Sequence, residues 1–344
     1  MKIIAVDIGG TKMLLYSDVG GNVVEKQVPT GDEASPQSLC REIHSFIRSL
    51  DFVPNAVGVC VPGLVQDGVL IVASDRPNMV GLSEEMLSTP QTRAFLINDV
   101  RAAMYSQLPK YPRESSICVI VIGTGIGMSV YSNGVFLTGA NGFIGEWGLC
   151  PVRLSDGTMT TYDAVMTGKA IVDRLGLEPL QITQKLEEED PSAVTIVKEA
   201  GFYCGCCLAS CINLFNPEYI VLTGSTTEYK YYRSTAMETC RTYSLPESFA
   251  ACTIVDPSEH GRIVLLGTVE YAREMMEEAN CIVCLQMTLV HSRGYPCQLR
   301  TTVKYYPYEH AKPRCEQLLL CSFHRDSCFS RGCSSELCVL CPNG

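Results

Sequence analysis

The same β-pattern opens the chain twice, and that repetition narrows the folds open to it. Residues 2–8 form a continuous apolar run ending on Asp7-Ile8. Gly9-Gly10 breaks it, and residues 11–18 and 23–27 read as two more strands joined at Gly20-Gly21. Far along the chain, residues 117–122 form a second apolar run. Gly123-Thr124-Gly125 breaks that one, and residues 126–131 and 135–138 follow around Asn133-Gly134. Asn-Gly between strands is a strong hairpin signal. Two meanders, each led by a Gly-rich turn, predict two equivalent halves. A chain of 344 residues is long enough to build both cores.

Further elements follow each meander. Leu39, Ile43, Phe46, Ile47 and Leu50 recur at steps of three and four, which predicts a helix over 36–50. A strand at 56–61 breaks at Pro62-Gly63, and another at 94–97 runs into Asn98-Asp99 and a helix over 100–107. Residues 109–113 read as a linker. In the second half, helices are expected at 168–174 and 193–215, then a strand at 219–222 ending in Thr223-Gly224-Ser225, and a last helix over 267–279.

The turns carry the chemistry. In residues 7–12 (DIGGTK) the glycines let backbone amides approach an anion. Asp7 suits a hydrated Mg²⁺, and Thr11 and Lys12 can reach phosphate oxygens. Taken alone, the segment reads equally as a Gly-Gly hairpin with a polar tip. Gly123-Thr124-Gly125 repeats the device, and two such turns can clamp a polyphosphate from both sides. Neither opens directly into a helix, which excludes a P-loop and a dinucleotide fingerprint. Asn98-Asp99, at a strand-to-helix junction, reads either as a helix cap or as a positioned carboxylate base.

These residues resemble the actin/Hsp70/hexokinase (ASKHA) superfamily and, within it, the ROK family (repressor, open reading frame, kinase). The resemblance spans residues 1–279. It rests on residues 7–12, Pro62-Gly63, Pro77-Asn78, Asn98-Asp99, the Gly-Thr-Gly turn, residues 139–142 (GANG), residues 145–148 (GEWG) and residues 216–218 (NPE). It implies an α/β fold of two RNase H-like (actin-like ATPase) domains around a central cleft. The first would comprise 1–110 plus 267–280 and the second 111–266, with 281–344 a Cys-rich tail outside the family fold. The activity it implies is glucokinase-like: ATP-dependent phosphorylation of a hexose hydroxyl, with ATP and Mg²⁺ as cofactors. Asp99 would be the general base. Asn78, Asn98, Asn141, Glu146 and Asp163 would bind the sugar, a carboxylate such as Glu146 accepting from two adjacent hydroxyls. Asp7, Gly9, Gly10, Thr11, Lys12, Gly123, Thr124, Gly125 and Gly224 would bind the nucleotide, with Mg²⁺ near Asp7. A catalytically silent sugar or nucleotide sensor of the same fold, and a kinase for an N-acetylhexosamine, are the alternatives.

The chain also departs from the family. Leu149 replaces the family His, and the Cys-x-Cys-Gly-x-x-Gly-Cys zinc motif is missing. Residues 150–161 hold one Cys and no His, which cannot build a tetrahedral zinc site. No structural zinc is therefore expected in 1–280. Asp163 stands where the family has a sugar-binding Glu, one methylene longer. Arg101 occupies a position usually small or polar and is expected to point to solvent. Cys204, Cys206, Cys207 and Cys211 read as a helical core face.

Charge and hydropathy exclude other classes. A net charge of −10 disfavours a nucleic-acid partner. No apolar run approaches the ~18 residues of a membrane helix, and no signal peptide precedes the first strand. A cytoplasmic protein with a small-molecule sugar as partner is expected, with a homodimer left open. With the first strand starting at residue 2, no helix-turn-helix is expected ahead of it. Nine of the 19 cysteines fall in residues 281–344, where a zinc appendage, a disulfide module and a stretch foreign to the fold compete as readings. Truncation after Asn280 is expected to leave folding and activity unchanged.

Overall fold

The computed structural model describes residues 1–291 other than 32, 75 and 258–260, with side chains described to residue 280. In the first half, β1 (Ile3–Ile8), β2 (Lys12–Val19) and β3 (Asn22–Pro29) form the antiparallel meander. The helix α1 (Pro36–Ser49) crosses over, and β4 (Ala56–Val61) pairs parallel to β1. A hairpin of β5 (Leu64–Gln66) and β6 (Val69–Val72) and the single turn α2 (Glu84–Leu87) precede β7 (Arg93–Asn98), which pairs parallel to β4. The spatial order is β3-β2-β1-β4-β7.

β1 and β4 are continuous apolar runs because both faces of the sheet are covered. Ile4, Val6 and Ile8 face α1 through Leu39, Ile43 and Phe46, while Ile3 and Ala5 face the last helix of the fold. Ser35 caps α1, accepting from the Ser38 amide, and Pro36 fills the first helical position.

The helix α3 (Asp99–Gln107) leads out of β7 into the second half. There β8 (Ile117–Ile122), β9 (Ile126–Ser132) and β10 (Val135–Leu137) repeat the meander. The hairpin β11 (Pro151–Arg153) with β12 (Met159–Thr161) follows, then α4 (Asp163–Met166), α5 (Gly168–Leu175), α6 (Pro179–Glu187) and α7 (Pro191–Phe215). After β13 (Tyr219–Thr223) come α8 (Tyr232–Tyr243), α9 (Pro246–Ala251) and β14 (Thr253–Val255). This sheet is ordered β10-β9-β8-β13-β14, the same winding as the first. The chain therefore folds as two RNase H-like α/β domains around a central cleft.

The helix α7 corrects the reading that no run approaches a membrane helix. Its 25 residues are long and apolar enough to cross a membrane by length and composition, yet 61% of the apolar window is buried inside the fold. Cys204, Cys207 and Cys211 lie in the second core with Ala200, Leu208 and Ile212, which accounts for the apolarity of the helix. The last helix, α10 (Ile263–His291), starts before residue 267 and runs past 279, so a cut after Asn280 would fall inside it. The Cys and His side chains of 281–344, over which the zinc, disulfide and foreign readings compete, lie outside the described residues.

Candidate active site

Asp99 begins α3 where β7 ends, and its neighbour Asn98 holds it there. Asn98 Oδ1 accepts from the amides of Val100 (3.0 Å) and Arg101 (3.2 Å), capping the helix. Asn98 Nδ2 donates to the Gly63 carbonyl and to Asp99 Oδ1, both at 2.9 Å. The two readings of this pair thus share one geometry: Asn98 is the cap, and Asp99 is the carboxylate the cap orients. All the hydrogen-bonding capacity of the Asn98 amide is used within the protein. These bonds give Asn98 a positioning role toward Asp99.

Burial pushes the half-buried Asp99 carboxyl up to about 6, and the Asp7 charge adds to the rise. Asp7, at the end of β1, is likewise raised by burial, while the Cys60 thiol beside it and the Lys12 charge pull it down. Cys60 is fully buried and is the register partner of Asp7 in β4. Sequence reading missed it because a thiol in an apolar strand looks like core.

Both Gly-rich turns are braced from outside. In the first, the Gly9 amide donates to Lys12 O at 2.9 Å, and Thr30 clamps both sides. The Thr30 hydroxyl donates to Gly9 O at 2.8 Å and its amide to Thr11 O at 3.0 Å. In the second, the Gly123 carbonyl accepts from the Gly168 amide (2.8 Å) and the Thr226 hydroxyl (3.0 Å). Gly224 lies against the same strand end. With φ at +108° and a would-be methyl group 2.2 Å from Ile122 O, that position admits only glycine. Gly123, Thr124, Gly125 and Gly224 are thereby brought together. Thr30, Gly168 and Thr226 act from a distance in sequence, so no local motif announced them.

The cleft joins the two halves at α3. A methyl group on Gly127, in β9, would meet Val100 at 2.1 Å, so the start of α3 abuts the strand that leaves the second turn. Arg101 does not point to solvent as its position suggested. Its guanidinium lies over the Phe136 ring of β10, 5.2 Å from the centroid.

Glu146 and Asp163 belong to the second half. The Glu146 carboxyl is raised by partial burial, then by the charges of Asp163 and Asp99, so the three carboxylates share one field. Asp163 Oδ1 accepts from the Ile126 amide at 3.0 Å, tying the second turn to the start of α4. One of its two oxygens is therefore committed to the protein. A methyl group on Gly148 would stand 2.4 Å from that carboxylate, which is why the loop needs glycine there. Asn78 and Asn141 are exposed, and Leu149 is 66% exposed, followed by the β11–β12 hairpin. Among the described residues no group of three or more His, Cys, Asp or Glu side chains is arranged to hold a metal ion unaided.

An N-acetylmannosamine kinase of Escherichia coli O6:H1 is 29% identical over 185 residues, 50% of this chain and 63% of its own length. A xylose repressor of Bacillus subtilis is 25% identical over 235 residues, 62% of this chain and 61% of its own length. The chain thus spans about three-fifths of the length of these curated relatives. In fold, it resembles the crystal structure of a ROK family glucokinase from Streptomyces griseus in complex with glucose and AMPPNP. That likeness has a TM-score of 0.67 at 19% identity and covers 80% of this chain and 100% of that one. Residues 3–274 match the sequence profile of the ROK family, and the chain belongs to that family.

Proposed function

We propose that this protein transfers the γ-phosphoryl group of ATP to a hexose hydroxyl, with Asp99 as general base. The observation that supports it most is the placement of Asp99: a half-buried carboxylate, fixed by Asn98, that feels the charge of Asp7 ahead of the first turn and is followed by Val100, packed against Gly127 just past the second. As the sugar hydroxyl attacks the γ-phosphorus, its proton passes to Asp99 Oδ2, since Oδ1 is held by Asn98 and Val100. The bond from the γ-phosphorus to the β,γ-bridging oxygen breaks, and ADP leaves. Asp7 fits Mg²⁺: it is a hard oxygen donor at the phosphate turn, and such an ion usually takes one or two carboxylates plus phosphate oxygens. When bound, Mg²⁺ would neutralise phosphate charge. Glu146, Asp163 and the exposed Asn78 and Asn141 would hold the sugar.

The raised carboxyl at position 99 gives a pH signature. A base works deprotonated, so kcat/KM should hold above about pH 6 and fall tenfold per unit below it. An ordinary carboxylate would hold its plateau to about pH 4. A profile flat down to pH 5 would remove Asp99 from the role of base.

A second reading, a sugar-responsive regulator without turnover, is favoured by the xylose repressor relative. ADP release measured across a panel including glucose and N-acetylmannosamine separates the two. Turnover on any member supports the kinase, and sugar binding with no ADP release supports the regulator.

A further inference from the structure

Arg76 follows β6 and caps the short 3-10 turn Pro77–Met79, far in sequence from both Gly-rich turns. Its guanidinium nevertheless stands at the first of them. A methyl group on Gly10 would meet Arg76 Nε at 3.7 Å and Nη2 at 3.8 Å. The backbone secures that place. The Arg76 amide donates to Ala73 O at 3.1 Å, and its carbonyl accepts from the Met79 amide at 3.0 Å. Ala73 and Met79 are both buried in the first core. Two positions on, the same turn carries Asn78, so one short segment reaches from the phosphate turn to the sugar side.

The charge balance of the cleft calls for such a cation. Asp7, Asp99, Glu146 and Asp163 interact with one another as like charges. A triphosphate entering beside them meets strong repulsion in a shielded site. Lys12 brings one positive charge, as a point charge on a flexible stem. A guanidinium offers a planar fork of N–H donors matched to phosphate oxygens.

Resting on the kinase reading above, we propose that Arg76 is a phosphate-binding residue that contacts the γ-phosphoryl group during transfer. The γ end, rather than the nucleoside end, follows from its neighbours. Gly10 comes just after Asp7, whose charge is felt at Asp99, whereas Gly224 lies at the other turn.

The test compares the wild-type chain with Arg76→Ala and Arg76→Lys. Turnover is measured on the best acceptor, and MgADP and MgAMPPNP binding by calorimetry. Arg76→Ala should lose roughly two to three decades in kcat/KM for ATP, the scale of losing one donor to developing charge. It should bind MgAMPPNP about tenfold more weakly while keeping its MgADP affinity, since ADP lacks the γ group. Arg76→Lys should recover part of both losses.

Unchanged MgAMPPNP affinity in Arg76→Ala overturns the proposal, and so do equal losses for MgADP and MgAMPPNP. If the wild type binds MgAMPPNP but phosphorylates no sugar, the kinase reading falls, while the binding comparison still decides whether Arg76 meets the γ group. A wild type that binds neither nucleotide overturns both. Should Arg76→Ala fail to fold, Arg76→Lys and Arg76→Gln against the same two nucleotides decide the matter by the same criteria.

Discussion

Replacing Asp99 by Asn is expected to lower turnover by about two to four decades, the range that general base catalysis supplies. The two side chains have the same shape, and the local hydrogen bonds survive. Asn98 Nδ2 and the Val100 amide both donate to Asp99 Oδ1, and an Asn carbonyl oxygen can accept from both. Its NH₂ group would then take the place of Oδ2. That group donates where the reaction needs an acceptor, so it can still bind a hydroxyl oxygen but cannot remove its proton. Sugar affinity and melting temperature should therefore stay near wild type while ADP release collapses. The three measurements together separate chemistry from folding. A variant that turns over its best sugar at near-wild-type rate would sink the base assignment.

Changing Gly267 to Ala should damage stability and activity together. Gly267 lies in α10, and a methyl group there would sit 1.6 Å from the Ala102 carbonyl oxygen and 3.0 Å from the Ser106 amide, both in α3. Two opposed effects compete. Alanine is the better helix former, by about 1 kcal/mol. Against that, overlap with backbone cannot be relieved by turning a side chain, so the cost falls at the upper end of the roughly 1–3 kcal/mol that forced overpacking brings. Overlap wins, because α10 and α3 must move apart by an ångström or more. α3 carries Asp99, so that shift also moves the carboxylate away from Asn98 and Asp7. At roughly 2–4 °C per kcal/mol for a domain pair of this size, the melting temperature should drop by at least about 4 °C. An unchanged melt would mean that the two helices do not approach closely enough to exclude a methyl group.

A parallel contact involves Gly58, in β4. A methyl group there would meet Thr268 O at 2.5 Å, so the same helix is pressed against the sheet as well as against α3. Both glycines have ordinary negative φ. Space, not backbone freedom, requires them, and space was invisible in the local pattern around each.

The sequence by itself determined the two meanders, α1, α7 and the Gly-rich turns. Each rests on local physics: alternation and apolar runs for strands, steps of three and four for a helix, backbone freedom at glycine for a turn. The order of motifs singled out Asp7, Asp99 and Glu146, and in the structure Asp99 feels the charge of Asp7 and Glu146 that of Asp99. The short elements were not legible. The hairpins β5–β6 and β11–β12 have strands of only three or four residues, too few to build a period.

Tertiary structure alone decided what each polar group does. Asn98 spends its amide on Gly63 and on the carboxylate it orients. Asp163 braces the second turn, Arg101 stacks on Phe136 of the second sheet, and Arg76 stands over Gly10. All four contacts join residues distant in the chain. The Asn98–Gly63 contact exists because parallel pairing of β4 and β7 brings the end of β7 beside the loop after β4. Gly10 follows β1 of the same sheet, and Arg76 lies in the connection from β4 to β7. A side chain at such a strand end bonds to whatever the neighbouring strand delivers, and strand order, not local period, sets that neighbour.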